Sequence, residues 1–163
     1  MTQTIDHGRR ALLRGRLREA HAPLRPPWAR PERDFAAACS HCGDCIRDCP
    51  ENILTPDRDG LPRVDFSRGE CSFCQACVQV CPEPAFDPAG RPWEQSARIG
   101  NGCLARQGIY CESCRDPCET RAIRFRPARG GIPTPTVAPD DCSGCGACVA
   151  VCPAGAIQVL PSP

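Results

Sequence analysis

Cys39-Ser40-His41-Cys42-Gly43-Asp44-Cys45-Ile46-Arg47-Asp48-Cys49-Pro50 sets three cysteines at intervals of three, a fourth cysteine four residues on, and a proline directly behind it. The spacing returns as Cys71, Cys74, Cys77, Cys81 and Pro82, and again as Cys142, Cys145, Cys148, Cys152 and Pro153. Three thiolates so close in the chain can wrap three corners of a [4Fe–4S] cubane, and the proline directs the fourth cysteine toward the other cluster of a pair. Ser40, Gly43, Ser143, Gly144, Gly146 and Ala147 keep side-chain bulk out of these loops, so backbone amides can approach the sulfides.

The groups begin at Cys39, Cys71, Cys103 and Cys142, a fourfold internal repeat. The third group is irregular. Cys103 lies eight positions before Cys111, Cys114 and Cys118 follow, and Glu119 stands where the others have proline. The sixteen cysteines therefore predict four [4Fe–4S] clusters, or three if the Cys103–Cys118 group is degenerate. Pairing of adjacent groups gives the sets Cys39/Cys42/Cys45/Cys81, Cys71/Cys74/Cys77/Cys49, Cys103/Cys111/Cys114/Cys152 and Cys142/Cys145/Cys148/Cys118. A nested pairing, first group with fourth and second with third, is not excluded by the spacing, but the clearer hairpins favour adjacent pairing.

Between groups one and two, Ile53-Leu54, the turn residues Asp57-Arg58-Asp59-Gly60, then Val64 and Phe66 on alternate positions read as a hairpin. Ala122 to Phe125, Gly130-Gly131, then Thr134, Thr136 and Val137 repeat it between groups three and four, with prolines marking edge strands. Ala85-Phe86, Asp87-Pro88-Ala89-Gly90 and Trp93 to Ile99 repeat the scheme less clearly, and the boundary between halves is placed there. The expected fold is α+β: two bacterial-type 2[4Fe–4S] ferredoxin-like units of short hairpins and short helices around the clusters, at 34–92 and 93–163, behind a basic leader at 1–33 that is partly flexible.

Composition supports a fold built on metal. Leu, Ile, Val and Phe make up 28 of 163 residues and net charge is only +1, so the chain is neither highly charged and disordered nor endowed with an ample apolar core. Zinc at four all-cysteine sites is the main alternative, but zinc spacing usually separates two CxxC pairs by a longer linker. A disulfide framework would need an export signal. Arg9-Arg10-Ala11-Leu12-Leu13 looks like a twin-arginine signature, yet Arg14, Gly15, Arg16, Leu17, Arg18 and Glu19 follow it, and the apolar stretch of about 7–15 residues is missing. No run approaches the roughly 18 apolar residues that span a bilayer. A cytoplasmic location is expected. His41 reads as a solvent-facing loop residue, since four cysteines already complete its group. With every thiol committed to metal, no acid/base pair and no phosphate-cradling loop, the chain is expected to be an iron–sulfur accessory or electron-transfer protein, not an enzyme, with no small-molecule substrate. A near-neutral pI of about 7.4 argues against nucleic acid.

The leader holds eight arginines against Asp6, Glu19 and Glu32, and the chain contains no lysine. It reads either as a solvated tail or as a docking segment in which Arg9, Arg10, Arg14 and Arg16 contact carboxylates and Trp28 supplies an anchor, unless Trp28 packs on the cluster domain. Gly8-Arg9-Arg10-Ala11-Leu12-Leu13-Arg14-Gly15-Arg16, Arg25-Pro26-Pro27-Trp28, Glu70-Cys71-Ser72-Phe73-Cys74 and the spaced group from Cys103 to Cys118 together resemble the NapF family of ferredoxin-type proteins, over nearly the whole chain. The resemblance implies a cytoplasmic accessory protein that contacts the molybdenum-containing catalytic subunit of periplasmic nitrate reductase before its export and helps it mature, by electron delivery or by donating iron–sulfur material. The alternative is a generic polyferredoxin subunit that passes electrons between a donor and an oxidoreductase.

Overall fold

The computed structural model describes residues 23–128 and 131–161. Arg9, Arg10, Arg14 and Arg16 lie outside them. Helix α1 (Glu32–Ala38) opens behind Pro31, whose carbonyl accepts the amides of Asp34 and Phe35 at 2.9 Å each. Glu32 and Asp34 in its first turn suit the positive end of the helix dipole. It ends as the Cys39 amide bonds to Phe35 at 3.0 Å, which delivers Cys39 into the first loop.

Each regular cysteine loop then closes into a single helical turn around its third cysteine: α2 (Asp44–Arg47) in group one, α3 (Ala76–Gln79) in group two and, later in the chain, α4 (Ala147–Ala150) in group four. Four residues cannot sustain a helix alone. Each is started by a left-handed residue, Gly43, Gln75 or Gly146, and each turns one cysteine inward, the buried Cys45, Cys77 and Cys148. These helices exist to aim a thiol.

The two expected hairpins are present. Strands β1 (Leu54–Pro56) and β2 (Pro62–Val64) pair antiparallel with Leu54 opposite Val64. The Asp57 carboxylate ties their turn by accepting the amides of Asp59 at 2.9 Å and Leu61 at 3.0 Å. This is the side-chain-to-backbone bond that makes Asp a turn residue. Strands β4 (Ile123–Arg126) and β5 (Thr134–Val137) pair likewise, with Ile123 opposite Val137. Every strand of a two-stranded sheet is an edge, which is why Pro56, Pro62 and Pro135 are tolerated there.

The stretch between groups two and three differs from expectation. Asp87–Gly90 does turn, with the Gly90 amide on the Asp87 carbonyl at 3.2 Å, but it joins no hairpin. Phe86 instead bridges back to Ala29, and strand β3 (Gln95–Ile99) pairs with the last strand, β6 (Ile157–Pro161), Gln95 opposite Pro161 and Ile99 opposite Ile157. The physical reason is closure. Each half seals its cysteine loops by joining the segment that enters it to the segment that leaves it, and local turn signals do not reveal so distant a partner.

A second correction concerns the end of the leader. Leu24 to Trp28, expected to be partly flexible, packs into the first half. The Leu24 carbonyl accepts the Val64 amide at 2.7 Å, the Trp93 indole N–H donates to the Arg25 carbonyl at 3.1 Å, and the Trp28 amide donates to Pro92 at 2.8 Å. Trp28 is 6% exposed, in a core with Phe35, Leu61, Ala85 and Phe86. It is therefore not available as a surface anchor: an indole with so few apolar competitors is worth more inside than at an interface. Arg25 is fixed between Glu32 at 2.6 Å and Asp57 at 2.9 Å.

Three small cores result. One surrounds Cys45 and Cys77 with Ile53, Leu54, Val64 and Phe66, one is the Trp28 cluster, and one holds Ala97, Ile99, Ile123, Cys148 and Ile157. Among the described residues no helix is long and apolar enough to cross a membrane.

Candidate metal centres

The sixteen thiols meet in four sets. Cys39, Cys42, Cys45 and Cys81 line one cavity, and Cys49, Cys71, Cys74 and Cys77 line a second. Cys103, Cys111, Cys114 and Cys152 line a third, and Cys118, Cys142, Cys145 and Cys148 line a fourth. These are the crossed sets of adjacent pairing, and the geometry does not bring the nested sets together. The irregular third group converges as well. Its long first interval is taken up by a 3₁₀ turn, Ala105–Gln107, held by the Gln107 amide on Cys103 at 3.1 Å and by the Arg106 guanidinium on Ile99 at 2.6 Å.

The loops share a backbone signature. The second residue after the first cysteine is left-handed in each regular group, His41 at φ 59°, Phe73 at 55° and Gly144 at 74°, and so is the fourth, Gly43 at 76°, Gln75 at 62° and Gly146 at 84°. A bulky residue such as Phe73 pays for that conformation and is held there by packing against Trp28 and Trp93, with ring centroids 6.4 and 5.5 Å away. His41 is exposed, as its loop position suggested.

All-thiol donors around cavities lined largely by apolar atoms suit iron–sulfur chemistry. Backbone amides supply the complementary shell: Phe73 to the Cys71 sulfur at 3.4 Å, Ala97 to Cys142 at 3.4 Å and Ala156 to Cys152 at 3.3 Å. Such donors stabilise negative charge on sulfur. Among the described residues no three His, Cys, Asp or Glu side chains converge tightly enough to chelate one ion. Burial, followed by repulsion from neighbouring thiols, pushes Cys45, Cys77 and Cys148 up to about 12. Burial also pushes Cys71 and Cys114 up to about 11. Without metal these thiols stay protonated at neutral pH, so ligation must expel their protons.

Sequence reasoning missed the second layer. Phe66 packs edge-on against Trp93 at 5.8 Å, and the buried Gln95 side chain donates to the Gly144 carbonyl at 3.1 Å. Only the neighbourhood of Trp93 to a strand hinted at either.

Comparison with known proteins agrees with this geometry. The 4Fe-4S dicluster domain family matches residues 38–85 and 109–156. The second match begins beyond Cys103, which the structure nonetheless brings to Cys111, Cys114 and Cys152. The chain is 47% identical over 154 residues to the ferredoxin-type protein NapF of Escherichia coli K12, covering 94% of each. It is 47% identical over 137 residues to NapF of Haemophilus influenzae, covering 83% of this chain and 78% of that one. It is 37% identical over 174 residues to the methylamine utilization ferredoxin-type protein MauM of Methylobacillus flagellatus, covering 93% and 74%. Two dicluster domains give the chain a capacity of up to four [4Fe–4S] clusters.

Proposed function

From the premise that the chain belongs to the NapF family of ferredoxin-type 4Fe-4S proteins, we propose that it is a cytoplasmic accessory protein that contacts the catalytic subunit of periplasmic nitrate reductase before export and supports its maturation. At the coarser level its role is that of an iron–sulfur electron-transfer or accessory protein. The observation that carries the finer reading is the extent of the likeness to NapF: 94% of the chain is covered, so it reaches into the arginine-rich leader and not the cluster domains alone.

In this reading all sixteen cysteines are ligands, in the four sets the cavities define, and the chain works as two ferredoxin-like units divided near residue 92. A bound cluster takes up and gives back one electron at a time without breaking a bond. The chain's own residues set the conditions. Apolar side chains limit water, the amides of Phe73, Ala97 and Ala156 stabilise charge on their sulfurs, and the exposed Cys42 and Cys74 leave the first and second sets open to a partner. Arg9, Arg10, Arg14 and Arg16 recognise the client through its carboxylates, with no help from Trp28.

Deleting residues 1–22 tests this. Iron content should be unchanged while capture of the unexported catalytic subunit is lost. Undiminished capture would sink leader recognition. A second reading, a general electron-transfer subunit, is favoured by the likeness to MauM, a ferredoxin-type protein named for a different system. It requires rapid, reversible oxidation by a redox partner regardless of the leader.

A further inference from the structure

We propose that the four cysteine sets form one row, in the order first, second, fourth, third, with the two halves joined through the contact between Cys71 and Cys145. The inference rests on the reading that each set holds a cluster, and it goes beyond it by assigning an order that differs from the order of the groups in the chain.

The joint is built. The Cys71 amide donates to the Cys145 carbonyl at 2.9 Å, which links a ligand of the second set directly to a ligand of the fourth. The cavity of the fourth set is the roomiest of the four, about 230 Å³, and Glu70, Cys71, Ser72 and Phe73 form part of its wall. The fourth loop is also moulded to the first half. A methyl group on Gly146 would come within 2.1 Å of the Phe66 ring. Only glycine permits that approach, and the position has the left-handed backbone glycine favours. Among the described residues, the first-set and third-set cavities have no lining from the other half.

Within each half the inner thiols share one core, Cys45 with Cys77 and Cys148 with Cys114. The row is thus continuous through two shared cores and one hydrogen bond. Electron tunnelling decays exponentially with distance and runs better through hydrogen bonds than through gaps, so the Cys71–Cys145 bond is the crossing point. Moving an electron along the row oxidises one cluster and reduces its neighbour, with no proton and no bond exchanged. The first and third sets are the ends.

The test is electron paramagnetic resonance on the full chain, reduced anaerobically with dithionite, with iron counted in parallel. Cys42→Ala and Cys111→Ala each remove an end of the row, and each should lose about four irons and leave three magnetically coupled clusters with no isolated signal. Cys74→Ala and Cys145→Ala each remove an inner member and should lose the same iron but leave one isolated signal beside a coupled pair. An isolated signal in Cys42→Ala would mean independent halves and overturn the row. An isolated signal in Cys111→Ala would overturn the order. Should a variant fail to assemble, the fully reduced natural chain decides: a spectrum described by three successive couplings supports the row, and one described by two separate pairs refutes it. A natural chain without iron would instead refute the cluster reading.

Discussion

In the first half Ala29 and Phe86 meet at a single bridge, whereas in the second Gln95–Ile99 runs five residues against Ile157–Pro161. The first half compensates with rings. Trp28, Phe35, Phe66, Phe73, Phe86 and Trp93 make four edge-to-face contacts there, Trp93 reaching in from the first residue of the second unit. The second half encloses its thiols with Ala97, Ile99, Ile123 and Ile157, aliphatic side chains backed by a longer ladder. The same crossed ligation is thus closed either by side-chain packing or by backbone pairing. Nothing in the cysteine loops themselves requires one solution over the other.

The largest expected effect is common to both halves. Chelating the metal should abolish cooperative unfolding throughout, since neither the aromatic core nor the β3–β6 ladder outweighs the loss of ligation. The tryptophan bands of the near-ultraviolet circular dichroism report on Trp28 and Trp93, both packed on the cores of the first half. If that signal persists with a sharp melt after complete chelation, the aromatic half folds by itself and the two closures differ in kind.

Trp28→Ala separates them more finely. Removing a buried indole costs roughly 3 kcal/mol, all of it in the half where Trp28 holds Phe73 and receives the Asp87 amide at 2.8 Å. The denaturant midpoint of Trp93 fluorescence should fall while half of the iron–sulfur absorbance persists to the unmodified midpoint. Simultaneous loss of both would show that the joint transmits the damage.

Asp57→Ala acts in the same half with less force. Burial acts to raise the Asp57 carboxyl, but the Arg25 guanidinium and the amides of Asp59 and Leu61 outweigh it and hold it below its ordinary value. Loss of the carboxylate leaves Arg25 with Glu32 and the Pro62 carbonyl and costs about 2 kcal/mol. A depressed carboxyl stabilises the fold fully above its unfolded pKa, 3.8, and ceases to do so as pH falls through the folded value. The difference between natural and variant chains should therefore be flat from neutrality down to that point and narrow below it. A gap that stays constant in stronger acid would assign the effect to packing.

The centres were legible because metal ligation leaves a rigid mark. Three thiols per cubane fix the spacing, and Pro50, Pro82 and Pro153 mark the departing chain. The hairpins were legible because Asp57 and Gly60 are turn chemistry read locally. What escaped was long-range and made of common residues. Gln95 opposite Pro161 spans most of the second half, and the burial of Trp28 depends on Phe35, Phe73 and Phe86 arriving from three other segments. Arg-Pro-Pro-Trp reads equally well as a docking motif and as a core entry, and only the position of its partners distinguishes the two.

The smallest effect belongs to the third group, where the halves differ most in sequence. Ile109 and Tyr110 stand 53% and 69% exposed at the end of the long Cys103–Cys111 interval. The backbone holds this loop without them: Ile109 donates to Leu104 at 2.9 Å, Gly108 to Ala105 at 3.2 Å, and Arg106 clamps the turn to Ile99. Gly108, left-handed at φ 83°, ends the 3₁₀ turn and brings the chain back toward Cys111. Tyr110→Ala should therefore shift stability by no more than about 0.5 kcal/mol and leave iron content unchanged. Selective loss of iron from the variant would instead mean that the exposed ring shields the third set, and that the longer interval replaces with a side chain the shelter that Trp28 and Phe73 give the first half.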